Sequence, residues 1–457
     1  MASATLFAEA SQLSHHARHV HGTLLLAPDN ASHVGAATNL ARFGDCHGGI
    51  GPRYFSVMQL PSSHAGRRWI SQTAWPKRHD LVLLARSAFA QSAQFSTVLF
   101  GARSDDGPDG ALGSLFLWNG SVVHGAVDVA HNLGATIVRN GAGKDVQLRL
   151  HAVGGQFFYD QFFDKVNKQS SRYDGLYVLS ADRLADMVSG RWFNWSSRGP
   201  TWGMGRMGCL RYKGRGRFDT PQECRAVGTD PREPRLIIDG FHAGCAECRE
   251  ASHGACEYDG KNSLVRFRGR FWLYTRANLE RYGGGRYVQV ASSVGDDVNG
   301  PFHPFQPIDI AGYTTQHGPW TSRNIYFASV ALNPLDRGQT LLGLFPVALT
   351  ERSVSRRRRE RGLDGFIGLA LSCDAVHFSP LVVLHRTKVR DNRTVDQPVD
   401  GLVVVGEKVV ALIHRNVPRI CYAGGDGEPE LVPHELDRPL LERLMAGARA
   451  SLEGCSS

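Results

Sequence analysis

The chain has 457 residues, of which 42% are hydrophobic and 21% are charged, and its formal net charge is +9. These values are typical of a globular protein and exclude an intrinsically disordered chain. No apolar run reaches the roughly 18 residues that span a bilayer, so no membrane span is predicted. The positive charge comes mainly from arginines scattered among acidic residues, which disfavours a phosphate-binding face, and no nucleic-acid partner is predicted.

Residues 1–45 form a predicted polar N-terminal segment, and residues 1–22 of it are rich in histidine. No basic stretch followed by an apolar stretch is recognisable there, so either the protein is not secreted by the usual route or a leader is missing from this sequence. The nine cysteines favour an extracellular or lumenal location instead. The two signals conflict, and we predict an extracellular or lumenal location.

Residues 46–436 consist mainly of short runs rich in Val, Ile, Phe, Tyr and Leu, broken by Gly, Asn, Asp and Pro. Such runs predict β-strands. They form five groups, each with three or four strand candidates, at about 50–105, 112–195, 255–310, 322–385 and 396–435. The grouping predicts an all-β fold, a five-bladed β-propeller, and the alternative is a two-sheet sandwich with long insertions.

The segment 196–254 is rich in glycine and cysteine and shows little periodicity, so we predict an insertion over one face of the propeller. Three states of its cysteines remain open: disulfides, free thiols, or a zinc site that would also use His242 and His253. A disulfide is our prediction, and neither a metal ion nor a cofactor is predicted to take part in the chemistry. The cysteines concerned are Cys209, Cys224, Cys245, Cys248 and Cys256.

Residues 437–457 form the last predicted unit, a C-terminal helix and tail. Apolar residues recur within 437–452 at the spacing of one helix face. We therefore predict a helix that packs on the outside of the sheets. The apolar face consists of Leu440, Leu441, Leu444, Met445 and Ala448.

An internal repeat marks the third and fifth groups of strands. Asp259 and Asp400 are each followed by glycine, then by a strand, a tight turn and a second strand. The second strands end in the polar residues Arg276 and Arg415. A second repeated unit is a strand that runs into Ser-x-Asp and then an aromatic residue, as at 369–378. Repeats of this length predict structurally equivalent units.

These motifs, together with Leu-Tyr-x-Arg at 273–276, resemble those of the five-bladed propeller glycoside hydrolases over about residues 170–420. The arabinanase/xylosidase-like and invertase-like families and the related mannoside phosphorylases share this fold. The resemblance implies that the first strand of each blade lines a central axis. Residues at the starts of these strands, here Asp259, Asn324 and Asp400, would then converge on one axial pocket.

Glycoside cleavage requires two carboxyl groups. The resemblance implies that Asp259 acts as base or nucleophile and Asp400 as a supporting carboxylate. Two residues compete for the role of acid: Glu257, which shares a strand face with Asp259, and Glu247, which lies in the insertion.

The residues predicted to bind a carbohydrate substrate lie at the ends and starts of neighbouring strands. Arg276 and Arg415 hold equivalent places in the repeat, and a guanidinium suits hydroxyl, carboxylate or phosphate groups. Two alternatives remain open, because Asp-Gly is also an ordinary turn signal: the aspartates shape turns, or the propeller is a non-catalytic scaffold for carbohydrate or protein. The full predicted binding set is Arg276, Asn278, Asn324, His414 and Arg415.

Overall fold

The structure is a computed structural model, and the strands among its described residues form five sheets. It describes residues 38–39, 53–61, 64–71, 80–88, 95–102, 116–123, 134–140, 147–156, 175–185, 236–239, 261–279, 285–298, 302–303, 305–313, 323–349, 364–388, 395–417, 429–452 and 455.

The first sheet is antiparallel and has four strands in chain order. Residues 81–85 are apolar and buried on both faces, as expected for an inner layer of a β-protein. The last strand of this sheet lies in the second predicted group, so the predicted boundary between the first two groups is wrong. The elements are β2 (Arg53–Gln59), helix α1 (His64–Trp69), β3 (Leu81–Ala88), β4 (Phe95–Ala102) and β5 (Phe116–Val123).

The second sheet also has four antiparallel strands in chain order. Its last strand lies inside the segment 196–254, and it pairs with the third strand through Gly175↔Asp239 and Leu176↔Ile238. Part of that segment therefore completes a sheet. The strands are β6 (Gly134–Asn140), β7 (Gln147–Gln156), β8 (Gly175–Ala181) and β9 (Leu236–Asp239).

The third sheet has four antiparallel strands in chain order, and its first hairpin turns through two residues. Arg268 and Gly269 have φ values of 50° and 72°, the left-handed backbone that two-residue hairpin turns require. The strands are β10 (Ser263–Phe267), β11 (Arg270–Leu279), β12 (Gly285–Ser292) and β13 (Gln306–Pro307).

The fourth sheet has seven strands, and its inner edge is interrupted. Two short strands pair with the same partner strand, and residues 326–328 separate them. The strands are β14 (Asp309–Ile310), β15 (Arg323–Ile325), β16 (Ser329–Leu332), β17 (Leu341–Leu349), β18 (Asp364–Ser372), β19 (His377–Phe378) and β20 (Val382–Lys388).

The fifth sheet joins both ends of the described chain, because β1 (Thr38–Asn39) pairs with the last strand. Its inner edge is also interrupted, since two short strands flank residues 399–402 and pair with the same neighbour. The remaining strands are β21 (Gln397–Pro398), β22 (Val403–Val405), β23 (Lys408–Arg415) and β24 (Glu430–Leu436).

The C-terminal helix is confirmed as α2 (Arg438–Ser451). The carboxylate of Asp437 accepts a hydrogen bond from the backbone N–H of Leu440 at 2.9 Å and caps the helix start. Leu441, Met445 and Ala448 are buried in a core shared with the fourth and fifth sheets.

Among the described residues, the apolar cores lie between sheets that are consecutive in the chain, except one that joins the fifth sheet back to the first. Separate cores unite the second with the third sheet, the third with the fourth, and the fourth with the fifth. Phe55 and Leu83 of the first sheet pack with Val403 and Leu412 of the fifth. Strand β2 contacts β6, which links the first and second sheets. The protein is therefore an all-β, propeller-like arrangement of sheets with a short C-terminal helix.

A disulfide joins Cys373, directly after β18, to Cys455, beyond α2, with 5.4 Å between the two Cα atoms. The bond fixes the end of the helical segment to the fourth sheet. The five cysteines for which we predicted a disulfide or zinc lie outside the described residues. Among the described residues, no helix is long and apolar enough to cross a membrane.

Candidate functional site: a buried polar cluster at the inner strands

A buried lysine connects the inner strands of three sheets. Lys261 lies two residues before β10, and its Nζ atom is 2.5 Å from Oδ2 of Asp400 in the fifth sheet. The same ammonium group donates to the hydroxyl of Ser56 in the first sheet at 3.3 Å and to the carbonyl of Asn262 at 3.2 Å. The side chain of Lys261 has no solvent exposure and that of Asp400 is 7% exposed, so the ion pair is almost completely dry.

A hydroxyl group ties the fourth sheet to the same cluster. Ser263 donates to Oδ1 of Asp400 at 2.9 Å and accepts a hydrogen bond from the backbone N–H of Val330 at 3.0 Å. Four sheets therefore contribute to one polar cluster, which we call the axial cluster: Ser56, Lys261, Ser263, Val330 and Asp400.

The interruption of the fifth inner strand brings Asp400 to this position. Gly401, the next residue, has a φ of 69°, which side-chain-bearing residues adopt only with strain. A Cβ atom on Gly401 would also lie 2.8 Å from Cβ of Ala331 in the fourth sheet, closer than carbon atoms normally approach. The Asp-Gly pair thus bends the strand and allows the two inner strands to approach closely.

The electrostatics of the axial cluster follow from its burial. Desolvation lowers the pKa of Lys261, and the carboxylate of Asp400 opposes that effect by Coulombic attraction and by a hydrogen bond. A buried charge that lost its partner would be strongly unfavourable, so the two residues depend on each other. Asp400 is therefore held in an ion pair with another residue of the protein, Lys261.

Arg276 is buried and faces the fourth sheet. Its guanidinium carbon lies 5.1 Å from the ring centroid of Tyr326, which is part of the interruption between β15 and β16. A guanidinium stacked on an aromatic face is held in orientation. Arg276 therefore occupies a fixed position between two neighbouring sheets.

The strand pairing gives Arg276 a different counterpart from the one that the repeat suggested. Both hairpins have two-residue turns, and Arg276 lies six residues after Arg270 whereas His414 lies six residues after Lys408. His414 is buried, and its ring packs edge-on against Phe55 at 5.6 Å. Arg415, by contrast, is half-buried and lies opposite Glu430. The structural counterpart of Arg276 is therefore His414, one residue before the arginine that the sequence repeat matched to it.

The other predicted residues divide into two groups. Asn278 and Asn324 lie on β11 and β15, where they pair with Arg286 and Ala348. The three remaining carboxylates, Glu247, Glu257 and Asp259, lie outside the described residues.

A second buried polar group, missed by the sequence analysis, lies between the fourth and fifth sheets. His385 has its Nε2 atom 2.8 Å from Oδ2 of Asp396, and both side chains are nearly buried. Oδ1 of Asp396 accepts a hydrogen bond from the backbone N–H of Asn416 at 3.0 Å. Asp396 lies directly before β21, so the start of the fifth inner strand is fixed by a His–Asp contact.

The described residues contain no group of three or more His, Cys, Asp or Glu side chains placed to hold a metal ion. The alternative zinc site at 242–256 lies in a part of the chain that the structure does not describe. The charged groups of the axial cluster are one ammonium and one carboxylate, which suits hydrogen bonding more than metal coordination.

Comparisons with known proteins return glycoside hydrolases among the solved structures. The GH93 α-L-arabinofuranosidase of Fusarium graminearum in complex with arabinobiose is 8% identical, with a TM-score of 0.37 over 88% of this chain and 97% of that one. The catalytic domain of the Coprinopsis cinerea GH62 α-L-arabinofuranosidase is 10% identical, with a TM-score of 0.42 over 90% and 95% of the two chains. A B. megaterium levansucrase mutant is 9% identical, with a TM-score of 0.45 over 94% and 95%.

The chain thus resembles propeller glycoside hydrolases in structure as well as in sequence motifs. No family model matches the sequence, and no curated protein matches it.

Proposed function

We propose that the protein is a glycoside hydrolase-like, five-bladed propeller that binds a glycan or oligosaccharide where the inner strands begin. The observation that carries the proposal is the axial cluster, in which Lys261 contacts residues of the first and fifth sheets. Asp259 stands two residues before Lys261 in the chain, which supports the proposal that its carboxylate acts near the axial cluster.

Five consecutive sheets support the blade count. Apolar cores join the second sheet to the third, the third to the fourth and the fourth to the fifth, and another joins the fifth to the first. The contact between β2 and β6 completes this cyclic order. In such an order the inner strands surround one axis, which is the geometry of a propeller.

The proposed chemistry is acid/base catalysis by carboxyl groups. Asp259 acts as base or nucleophile, Asp400 as the supporting carboxylate, and either Glu257 or Glu247 as the acid. The sugar-binding residues are those predicted from the sequence, and Arg276 is already oriented by Tyr326. The disulfide between Cys373 and Cys455 supports the proposal of an extracellular or lumenal location.

A second candidate function is a non-catalytic propeller that binds carbohydrate or protein. The observation that favours it is that Asp400 is paired with the buried ammonium of Lys261 and with the hydroxyl of Ser263. A carboxylate committed to such partners stabilises the centre of the fold and need not act on a substrate.

The test measures the hydrolysis of a panel of nitrophenyl α- and β-glycosides by the wild type and its variants. Calorimetry measures the binding of the matching di- and trisaccharides. We expect Asp259→Asn to lower turnover by a factor on the order of 10³ while the melting temperature stays unchanged. The control is Asp296→Asn, because Asp296 lies in an exposed turn and pairs with Arg266.

Hydrolysis by the wild type that survives in Asp259→Asn would reject the proposed role of Asp259. A wild type that binds an oligosaccharide but hydrolyses none of the panel would favour the non-catalytic propeller. A wild type that neither binds nor hydrolyses any sugar would reject both carbohydrate functions.

A further inference from the structure

Gln397 is a buried amide at the start of the fifth inner strand. It lies on β21, three residues before Asp400, and only 2% of its surface is exposed. Within the described part of the chain, neither Nε2 nor Oε1 has a hydrogen-bond partner. An amide group that is removed from water without a partner reduces the stability of the fold.

The pairing of β21 with β23 shows which way this side chain points. Gln397 lies directly opposite His414, and paired residues of neighbouring strands share one face of a sheet. His414 packs against Phe55 of the first sheet, and Val399, two residues after Gln397, belongs to the core that contains Phe55. The amide of Gln397 therefore faces the first sheet, at the same end of the inner strands as the axial cluster.

In the third sheet, the residue that corresponds to Gln397 is Lys261. Extending the register of β10 and β11 by two residues brings Lys261 opposite Arg276, as Gln397 lies opposite His414. The ammonium of Lys261 has protein partners in Ser56, Asn262 and Asp400. Of these two equivalent polar side chains, the protein satisfies the lysine and leaves the amide for another partner.

We propose that Gln397 is a glycan-binding residue, whose amide binds two adjacent hydroxyl groups of one sugar unit. The NH₂ group donates to one hydroxyl oxygen and the carbonyl oxygen accepts from the neighbouring hydroxyl, so the two ends of the amide match a vicinal diol. An apolar residue would fill the same space without an unpartnered polar group and would make the fold more stable. Glutamine at this position is therefore better explained by ligand binding than by stability. This inference rests on the proposed carbohydrate function.

The experiment replaces Gln397 by methionine, which has a similar length and no polar amide. Calorimetry measures the binding of the tightest di- or trisaccharide of the panel, and differential scanning calorimetry measures the melting temperature. We expect Gln397→Met to weaken binding at least about tenfold and to leave the melting temperature unchanged or higher, because no protein hydrogen bond is lost.

The matched control is Gln289→Met. Gln289 is also buried, and its Oε1 atom also has no partner among the described residues, but its Nε2 atom donates to the backbone carbonyl of Arg276 at 3.5 Å and it lies on β12, the third strand of its sheet. We expect this variant to bind the sugar as the wild type does. A second variant, Gln397→Glu, keeps an acceptor and loses the NH₂ donor, and we expect it to weaken binding as well.

Each outcome decides the inference. Equal binding by wild type and Gln397→Met overturns it and leaves the carbohydrate function standing. A large fall in melting temperature in both Gln397 variants overturns it, because the amide then has a structural partner. A wild type that binds no sugar of the panel overturns both this inference and the carbohydrate function.

Discussion

The two ends of strand β10 each carry an ion pair, and the two pairs differ in burial. Before the strand, Lys261 pairs with Asp400, and their side chains are 0% and 7% exposed. Near its other end, Arg266 pairs with Asp296, and these side chains are 35% and 41% exposed. Because water solvates the outer pair and not the inner one, only the inner charges depend on each other. Burial therefore affects the contribution of an ion pair to stability more than its geometry does.

The largest effect is expected at the inner pair. Lys261→Met leaves the Asp400 carboxylate buried without its cation, so we expect the free energy of unfolding to fall by about 3–5 kcal/mol. Chemical denaturation monitored by fluorescence measures the change. Adding Asp400→Asn to Lys261→Met removes the unpaired charge and should recover part of the lost stability. A Lys261→Met protein as stable as the wild type would contradict the structural role of the axial cluster.

A buried histidine extends the comparison to pH. His151 packs against Phe271 and lies 2.6 Å from the hydroxyl of Ser180, and burial lowers its pKa to about 4. The unfolded chain, with a histidine pKa near 6.5, takes up the proton first as the pH falls. The stability contributed by neutral His151 is therefore complete above about pH 6.5 and is lost between about pH 6.5 and pH 4.

At about 1.4 kcal/mol per pKa unit, the loss reaches about 3 kcal/mol. Denaturation curves recorded across this pH range measure it. We expect His151→Gln to flatten the dependence and the exposed-site control His303→Gln to leave it unchanged. An unaltered pH dependence in His151→Gln would contradict the lowered pKa.

The smallest effect is expected at the outer pair. Arg266→Met should change the free energy of unfolding by less than about 1 kcal/mol, because solvent screens both charges. The same denaturation assay, run at low and high salt, measures the change, and the wild-type advantage should shrink as salt is added. A loss as large as that of Lys261→Met would show that burial does not distinguish the two pairs.

Features that depend on neighbouring residues were predictable from the sequence. Helix α2 follows from its apolar spacing and begins after the capping residue Asp437, and the strands follow from their apolar runs. The interruption at Asp400 and Gly401 was visible only as an Asp-Gly pair. The sequence match followed the shared arginine and not the distance from the turn, which is why Arg276 was matched to Arg415 instead of His414.

Contacts between distant parts of the chain were not predictable. Nothing in the sequence pairs Lys261 with Asp400, because the two residues lie far apart in the chain and belong to different sheets. The disulfide between Cys373 and Cys455 was also not predictable, since cysteine spacing alone leaves many pairings open. Such contacts depend on how the sheets pack together, and only the structure reveals them.

The pairing of β1 with β24 has a consequence for biosynthesis. Thr38 is synthesised before its partner Leu431, and four sheets of the chain are made between them. Chains grow at about 5–20 residues per second, so β1 waits for tens of seconds with its hydrogen-bonding edge unpaired. The fifth sheet is therefore completed only after the other four sheets have been synthesised, and its assembly is the step most exposed to pairing between nascent chains.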